Sequence, residues 1–520
     1  MERKILIILF LFILIQFPGF TQTLFWEDLP DEDIISRMMA EMTDTQILGQ
    51  LFLLSYYGST ADEGIIRWIQ EYNLGGIKIF GRNSRDLELL AENIANIQSI
   101  SVNQTDFGIP LFTATDQEGG WVFHVGGGTT ITPGNIAIAS AGSYHDAYYT
   151  GYYIGREIAT LGINMNFAPS VDVYSEPDAH TIGPRTFSDD PLAVAMYSLA
   201  YYHGMEDAGI ICTAKHYPGH GDTSVDSHGS MPVIDISEEL WRRRELLPYR
   251  FLIREGLPAV MSGHLSLPQI EPGNTPATLS SFFLEDVLRD ELGFEGLVIT
   301  DDMHMRGVLH GNRTMPIAVE QAIRAGNDII MLSSAPEPGG ELWQHVYSLM
   351  QTDQEFRNRV EHSCRRILEV KLRFLSDSSL VDLYPEPEGI HDRITSEEAQ
   401  GFFYSQSGRS IAAFRTERIP FIPAEGERVL LAGQFQAFFD AGLTRYPDAD
   451  TYYFPYNPFY YPEPQQRTRI QELAEEYDVI VFCTSNPSSF RLLQELENTE
   501  AEVIAMTVYS PTFLRNLEWV

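Results

Sequence analysis

Short apolar runs alternate with amphipathic segments from about Asp31 to Arg373, and this alternation restricts the fold more than any other feature. A run without polar alternation is typical of a parallel strand, because helices cover both faces of such a sheet. The intervening segments, such as 84–99 and 146–161, have helical periodicity. Eight runs are predicted as strands: Gln50–Leu54, Gly76–Phe80, Leu111–Thr115, Met165–Pro169, Gly209–Ala214, Ala259–Met261, Leu297–Thr300 and Asp328–Leu332. Eight such units predict an α/β fold of the (β/α)8 barrel type, with a doubly wound open sheet as the alternative.

A second, smaller α/β segment follows the predicted barrel. Residues 376–400 are rich in Ser, Asp, Pro and Glu, and we interpret them as a linker. Strand-like runs then occur at Arg428–Ala432, Asp478–Cys483 and Val503–Val508. We therefore predict a main domain over 30–375 and a small or incomplete α/β domain over 401–520.

The N-terminus has the pattern of an export signal. Glu2-Arg3-Lys4 precedes an apolar run from Ile5 to Ile15, and small and polar residues follow it. These are a charged region, an apolar region and a cleavage zone. The run is shorter than the ~20 apolar residues that span a bilayer. The pattern predicts a signal peptide at 1–22 and export to the periplasm or the medium, with an uncleaved N-terminal anchor as the alternative. No later segment resembles a membrane span.

The overall charge excludes some classes of partner. The formal net charge of −37 disfavours binding to nucleic acid and to anionic membrane surfaces. The three cysteines, Cys212, Cys364 and Cys483, have neither metal-ligand nor Cys-x-x-Cys spacing. We therefore expect no disulfide framework, and the fold must depend on its apolar core. The sequence does not indicate an oligomeric state.

Polar side chains lie at or just after the ends of five predicted strands. In a parallel barrel these ends meet on one face, where active sites are built. One such residue is ordinary in a loop, but six around one sheet indicate a site. They are Asp116, Asp172, Lys215, His216, His264 and Asp301.

One segment is much more specific than the rest. It reads KHYPGHGDT over 215–223 and is followed by DSH over 226–228. Further pieces occur in order: DQEGG at 116–120, NFAP at 166–169, GPRTF at 183–187, PATLS at 276–280 and ITDDM at 299–303. This set closely resembles glycoside hydrolase family 3, in its β-N-acetylhexosaminidase (N-acetylglucosaminidase) branch, over roughly 31–373. The resemblance implies a (β/α)8 catalytic domain that hydrolyses terminal β-linked N-acetylglucosamine (GlcNAc).

The resemblance also implies the catalytic residues. Retaining hydrolysis needs a nucleophile and a group that protonates the leaving oxygen and later activates water. By resemblance, Asp301 is the nucleophile and His228 is the acid/base, with Asp226 orienting it. A histidine titrates near neutral pH, and a carboxylate fixes its tautomer, so the pair is chemically reasonable. The β-glucosidase branches of the family lack this Asp-x-His.

A further set resembles the sugar-binding residues of the family, namely Asp116, Arg185, Lys215 and His216. Their carboxylate and cationic groups can hydrogen-bond hydroxyls. The structural alternative for Arg185 is an ion pair with Asp189 or Asp190, and for Lys215 and His216 a salt bridge at the core edge. The family usually has arginines at the places of Trp121 and His124, and the second contributes to substrate binding. His124 therefore puts the tightness or identity of the bound sugar in doubt.

Several alternatives stay open at this stage. The histidines and aspartates of 216–228 are dense enough to bind zinc, but they lie on a Gly- and Pro-broken loop, so neither a metal nor another cofactor is expected. A catalytically retired sugar-binding protein, a β-glucosidase and a GlcNAc phosphorylase are the other readings. The expected partner is a GlcNAc-containing oligosaccharide, from cell-wall muropeptides in peptidoglycan turnover or from chitin.

Overall fold

The computed structural model describes residues 23–179, 182–225, 227, 229–309, 313–377, 379–414, 420–455, 462–508, 513 and 517–520. The predicted signal peptide lies outside these ranges, and so do Asp226 and His228. The described chain contains an eight-stranded sheet, a four-stranded sheet and a two-stranded hairpin.

The strands are short and occur in the order that the apolar runs predict. In chain order they are β1 (Phe52–Leu54), β2 (Gly76–Lys78), β3 (Phe112–Thr115), the hairpin strands β4 (Gln117–Gly119) and β5 (Val122–Phe123), β6 (Met165–Asn166), β7 (Ile211–Tyr217), β8 (Ala259–Ser262), β9 (Leu297–Thr300), β10 (Ile330–Leu332), β11 (Val429–Gly433), β12 (Asp450–Tyr453), β13 (Val479–Thr484) and β14 (Glu502–Thr507).

Helices follow most of the strands. They are α1 (Asp31–Glu41), α2 (Asp44–Gly49), α3 (Glu63–Tyr72), α4 (Leu87–Asn103), α5 (Asn135–Ser140), α6 (Tyr144–Ala159), α7 (Pro191–Asp207), α8 (Glu238–Arg244), α9 (Leu246–Arg254), α10 (Met315–Ala325), α11 (Glu341–Thr352), α12 (Gln354–Leu375), α13 (Ile390–Ile394), α14 (Glu397–Arg409), α15 (Gln436–Arg445), α16 (Pro464–Glu476) and α17 (Pro487–Gln494). A wider, π-type helix over Phe282–Glu291 lies between β8 and β9.

The larger sheet is a parallel barrel. Its strand order is β10-β1-β2-β3-β6-β7-β8-β9. A parallel bridge between Ile299 and Ile329 joins β9 to the segment entering β10 and brings the sheet round on itself. The predicted (β/α)8 barrel with a smaller α/β unit is therefore confirmed, and the open doubly wound sheet is wrong for this region.

Burial explains why the barrel strands read as continuous apolar runs. All residues of these eight strands are buried, because the barrel interior covers one face and the helices cover the other. The polar side chains within them, including Lys78, Lys215 and His216, must therefore find partners inside the protein.

The smaller sheet has a helix-covered core on each face. Its order is β12-β11-β13-β14, with all pairs parallel. Leu430 and Ile480 belong to one apolar cluster, whereas Leu431 and Val481 belong to the other. Neighbouring residues thus point to opposite faces, as the period of a strand requires. β12, α15 and α16 do not correspond to any element predicted from the sequence.

The segment interpreted as a linker has regular structure. It contains α13 and the beginning of α14. Phe403 of α14 packs against Tyr153 of α6, and Arg409 binds Asp146 at 2.7 Å. These contacts attach α14 to the barrel. All three cysteines are buried free thiols. No helix within the described ranges is long and apolar enough to cross a bilayer.

A buried carboxylate lies at the opposite end of the barrel from the predicted site. Asp328 precedes β10 and binds Arg289 at 2.6 Å, Arg359 at 2.9 Å and Arg366 at 3.2 Å. Burial opposes the charge of Asp328, but the three guanidinium groups lower its pKa to about 2. The ionised carboxylate therefore attaches the helices that carry these arginines to the barrel, at the end where its strands begin.

We expect Asp328→Asn to lower the free energy of unfolding by about 3–5 kcal/mol, because it leaves the buried Arg289 guanidinium without its ion-pair partner. Urea unfolding of both proteins measures the difference. Glu291→Gln is the matched control, since Glu291 pairs with Arg242 and Arg250 at the surface and should cost less than about 1 kcal/mol. The effect of Asp328→Asn should shrink as the pH falls toward 2. Equal effects of the two variants would contradict this role.

Candidate active site

The carboxyl ends of the barrel strands carry a connected cluster of charged side chains. It includes residues from β2, the β3–β4 turn, the loop after β6, and β7, with Asp301 directly after β9. These residues meet because parallel strands present the same ends to one face of a barrel. The predicted site residues in the described ranges lie on this face.

Asp116 is the centre of the cluster. Its Oδ1 accepts a hydrogen bond from Lys215 Nζ at 2.6 Å, and its Oδ2 is bound by Lys78 Nζ. Lys78 is fully buried, whereas the Asp116 side chain is 17% exposed. Burial would raise the pKa of Asp116, but the two ammonium groups hold it well below its ordinary range. Asp116 is thus an ionised carboxylate that stays partly exposed on the carboxyl face of the barrel, and we call the space beside it the pocket.

Glu118 joins two of the predicted sugar-binding residues. Arg185 donates to both of its carboxylate oxygens, at 2.9 and 2.7 Å, and Lys215 Nζ lies 2.6 Å from Oε1. The alternative ion pair of Arg185 with Asp189 or Asp190 does not form: Arg185 binds Glu118, and Asp190 caps α7. Arg185 and Lys215 are therefore held side by side by one buried carboxylate.

Asp172 fixes the orientation of His216. Its Oδ2 lies 2.8 Å from His216 Nδ1, and its Oδ1 accepts backbone hydrogen bonds from His216 and His220. Arg185 Nη2 lies 3.2 Å from His216 Nε2 and can only donate. His216 therefore accepts at Nε2 and carries its proton on Nδ1, where it donates to Asp172.

Asp301 is a partly exposed carboxylate on the same face. Its backbone N–H donates to the Ser262 carbonyl at 3.1 Å, and its Oδ1 accepts from the Asp302 N–H at 2.8 Å. Among the described residues, no donor hydrogen-bonds its Oδ2. Burial lowers the pKa of Lys78 to about 8, and Asp301 is among the charges that oppose this shift. Asp301 and the Asp116 cluster therefore share one electrostatic environment.

Asp302 has a different environment from its neighbour. Its Oδ1 accepts backbone hydrogen bonds from Ser333 at 3.0 Å and from His304 at 3.1 Å. Its backbone carbonyl lies 3.0 Å from Nε2 of the buried His264. These hydrogen bonds hold the loop after β9. The side chains of Asp301 and Asp302 thus have different environments, as expected when successive residues point in opposite directions.

The β4–β5 hairpin brings His124 back to Asp116. Gly119 and Gly120 have φ values of 97° and 60°, a region that favours glycine, and they form the turn. The His124 N–H donates to the Asp116 carbonyl at 2.9 Å, and His124 Nδ1 lies 3.5 Å from Asp116 Oδ2. The partly exposed His124 side chain therefore lies beside Asp116 on the carboxyl face. This hairpin was not predicted from the sequence.

Two site residues were missed, and two lie outside the described ranges. Lys78 and Glu118 were not predicted, although Lys78 is the single charge in its apolar run and Glu118 belongs to the DQEGG piece. Asp226 and His228 are not described, but Ser227 between them is buried. Its carbonyl accepts from the Gly307 N–H at 3.3 Å, which attaches this segment to the loop after β9.

A zinc site finds no support in the described part of the chain. There, no three His, Cys, Asp or Glu side chains converge closely enough to hold a metal ion. His220 and Asp222, which the sequence analysis considered as ligands, have other environments. The His220 N–H donates to Asp172, and the Asp222 carboxylate binds Arg244 at 2.7 Å.

Ionised carboxylates and cations on the carboxyl face of a parallel barrel define an enzyme-like site for a polar ligand such as a sugar. The sequence model of the glycosyl hydrolase family 3 N-terminal domain matches residues 42–370. The chain therefore belongs to glycoside hydrolase family 3.

Individual relatives agree with this assignment. Beta-hexosaminidase A of Pseudoalteromonas piscicida is 30% identical over 65% of this chain, and the match spans 62% of that relative. A beta-hexosaminidase of Nitrosomonas eutropha is 32% identical over 57% of this chain and 83% of its own length. The structure of a family 3 beta-N-acetylglucosaminidase from Paenibacillus sp. str. FPU-7 is similar with a TM-score of 0.81, 29% identity and 92% of both chains covered.

We expect Asp172→Asn to change the tautomer of His216. The asparagine Oδ1 can still accept from the two backbone N–H groups, which turns its amide NH2 toward His216 Nδ1. Nδ1 must then accept, and the proton moves to Nε2, opposite the Arg185 donor. ¹⁵N NMR of the labelled ring detects the change directly. Ser170→Ala is the control, because it removes only a hydroxyl bond to Asp172 Oδ2 at 2.9 Å. An unchanged tautomer in Asp172→Asn would contradict this assignment.

Proposed function

We propose that the protein is a retaining exo-β-N-acetylglucosaminidase that removes terminal β-linked GlcNAc from oligosaccharides. One observation supports this above the others. The partly exposed Asp301 carboxylate interacts electrostatically with Lys78, which together with Lys215 holds the ionised Asp116. Double displacement at a sugar carbon requires an available carboxylate nucleophile, and Asp116 near it can bind the sugar by its hydroxyls. The names of the relatives and the Asp-x-His at 226–228 support GlcNAc over glucose.

The first half of the reaction forms a covalent intermediate. Asp301 attacks C1 of the sugar while the bond from C1 to the leaving oxygen breaks. His228, oriented by Asp226, gives a proton to that oxygen. Ser227, which lies between these two residues, is hydrogen-bonded to the loop after β9, the strand that Asp301 follows, and this contact supports the assignment.

The second half reverses the roles. His228 removes a proton from water, and the water oxygen attacks C1 and displaces Asp301. GlcNAc leaves with its original β configuration. A histidine can serve in both steps because its pKa lies close to neutral pH.

The sugar hydroxyls are bound by the charged cluster. Asp116 accepts hydrogen bonds from hydroxyls, and Arg185 and Lys215 donate to hydroxyl oxygens. His216 has a fixed orientation because Asp172 and Arg185 hold its two ring nitrogens. Such fixed groups need little reorganisation when the transition state forms.

We further propose that the protein is exported and acts on cell-wall fragments in which GlcNAc is linked to a muramic acid derivative. The N-terminal signal pattern and the family resemblance support this proposal. Chito-oligosaccharides are the alternative substrates. Mass spectrometry of products from purified muropeptides and from chitobiose distinguishes them.

Asp301→Ala should lower kcat for p-nitrophenyl β-GlcNAc by at least about 10⁴-fold, because no other group can form the covalent intermediate. Asp290→Asn is the control, since it removes one exposed carboxylate from the helix before β9 and should keep full activity. Release of nitrophenol by the mature protein measures both. No hydrolysis by the unaltered protein would favour a binding role, and preference for the β-glucoside would refute the GlcNAc assignment.

His228→Ala should discriminate between leaving groups. A poor leaving group such as the sugar of chitobiose needs protonation, so its hydrolysis should slow by about 10²–10⁴-fold. Bond cleavage in p-nitrophenyl β-GlcNAc needs no proton and should slow far less. Pre-steady-state release of nitrophenol isolates that step. An equal loss on both substrates would show that His228 is not the acid.

A further inference from the structure

His124 occupies a place where the family usually has an arginine that contributes to substrate binding. An arginine there would bring a permanent positive charge from the hairpin to the pocket. A histidine does so only when it is protonated. The pocket of this chain must therefore obtain that charge from another residue, or function without it.

Lys78 and His124 approach the same carboxylate oxygen, Oδ2 of Asp116. Lys78 Nζ and His124 Nδ1 both face this oxygen, while Lys215 occupies Oδ1. Lys78 ends β2 and is fully buried, with its Nζ 4.3 Å from the centre of the Phe167 ring. Asp116 is its single ion-pair partner in the described part of the chain. A charge buried this deeply requires such a partner.

The ring of His124 is held in place without using its Nδ1. The His124 backbone is bound at both ends, by the Asp116 carbonyl and by the Ser84 hydroxyl, and its ring lies 5.1 Å from the Phe80 ring. Nδ1 is buried, has no hydrogen-bond partner among the described residues, and lies 3.5 Å from Asp116 Oδ2. The side chain as a whole is 29% exposed, so a ligand can reach the remaining edge of the ring and not Nδ1.

Four charged groups face His124, namely Asp116, Glu118, Lys78 and Lys215. Burial lowers the pKa of His124 to about 4, and the two lysines add to this effect while the two carboxylates oppose it. The ring is consequently neutral at neutral pH. The ring is neutral because it is largely buried and lies close to the Lys78 ammonium group.

We propose that Lys78 is a positioning residue that supplies to Asp116, from inside the barrel, the positive charge that an arginine at position 124 would supply from the hairpin. His124 then faces the sugar as a neutral ring. The inference rests on the proposed function only in that Asp116 binds the sugar. Lys78 itself does not touch the substrate.

If Lys78 has this role, an arginine at position 124 should be able to replace Lys78 as the cation that binds Asp116. Lys78→Met should raise KM for p-nitrophenyl β-GlcNAc by about 10- to 100-fold, because Asp116 loses a charge-assisted hydrogen bond. The double variant Lys78→Met/His124→Arg should recover KM to within about fivefold of the unaltered enzyme. Two adjacent sites coupled in this way give strongly non-additive effects in a double-mutant cycle.

The pH dependence separates this role from simple packing. Removing the Lys78 ammonium group should raise the pKa of His124, so the acid limb of kcat/KM should move to higher pH in Lys78→Met. The double variant has no histidine at 124 and should lose that shift.

His124→Arg alone adds a cation beside Lys78 and should move the pKa of Lys78 below about 8. Its basic limb should therefore begin at lower pH.

Ring titration of His124 by NMR tests the charge relation without substrate. A rise of the His124 pKa in Lys78→Met supports the proposal, and an unchanged pKa overturns it. A double variant no better than Lys78→Met also overturns it. If Lys78→Met does not fold, the basic limb of His124→Arg decides, since that variant changes a partly exposed side chain. Absence of GlcNAc hydrolysis by the unaltered enzyme would refute the proposed function and leave the titration as an independent result.

Discussion

Pairing of buried charges is the constraint on which the candidate site depends. The described cluster contains three cations and three carboxylates: Lys78, Lys215 and Arg185 with Asp116, Glu118 and Asp172. Transfer of each charge from water costs several kcal/mol unless partners compensate. Lys78 has Asp116 as its ion-pair partner and Arg185 has Glu118, whereas Lys215 binds both carboxylates and links the two pairs. These shared ion pairs fix the positions of the groups on the carboxyl face of the barrel.

The sequence predicted the barrel well because burial on both faces produces continuous apolar runs. β9 has the predicted bounds, whereas β7 continues three residues beyond its predicted end at Ala214. Lys215 and His216 look like loop residues in sequence, and only their partners on other elements allow them to remain in a buried strand. Lys78 was missed for a related reason. Its partner Asp116 lies 38 residues away, so their contact depends on the folded barrel.

The two ends of the barrel use similar ion pairs for different purposes. Asp328 is fully buried, and its oxygens are occupied by three arginines, a hydroxyl and a backbone N–H. It has no capacity left for a ligand, so it can only stabilise the fold. Asp116 is held by cations on its buried side and is 17% exposed on the other. Because its charge is fixed by these partners, Asp116 keeps hydrogen-bonding capacity on its exposed side for the proposed sugar ligand. Exposure of one side of a charge cluster is thus what distinguishes the candidate binding site from a structural ion pair in this protein.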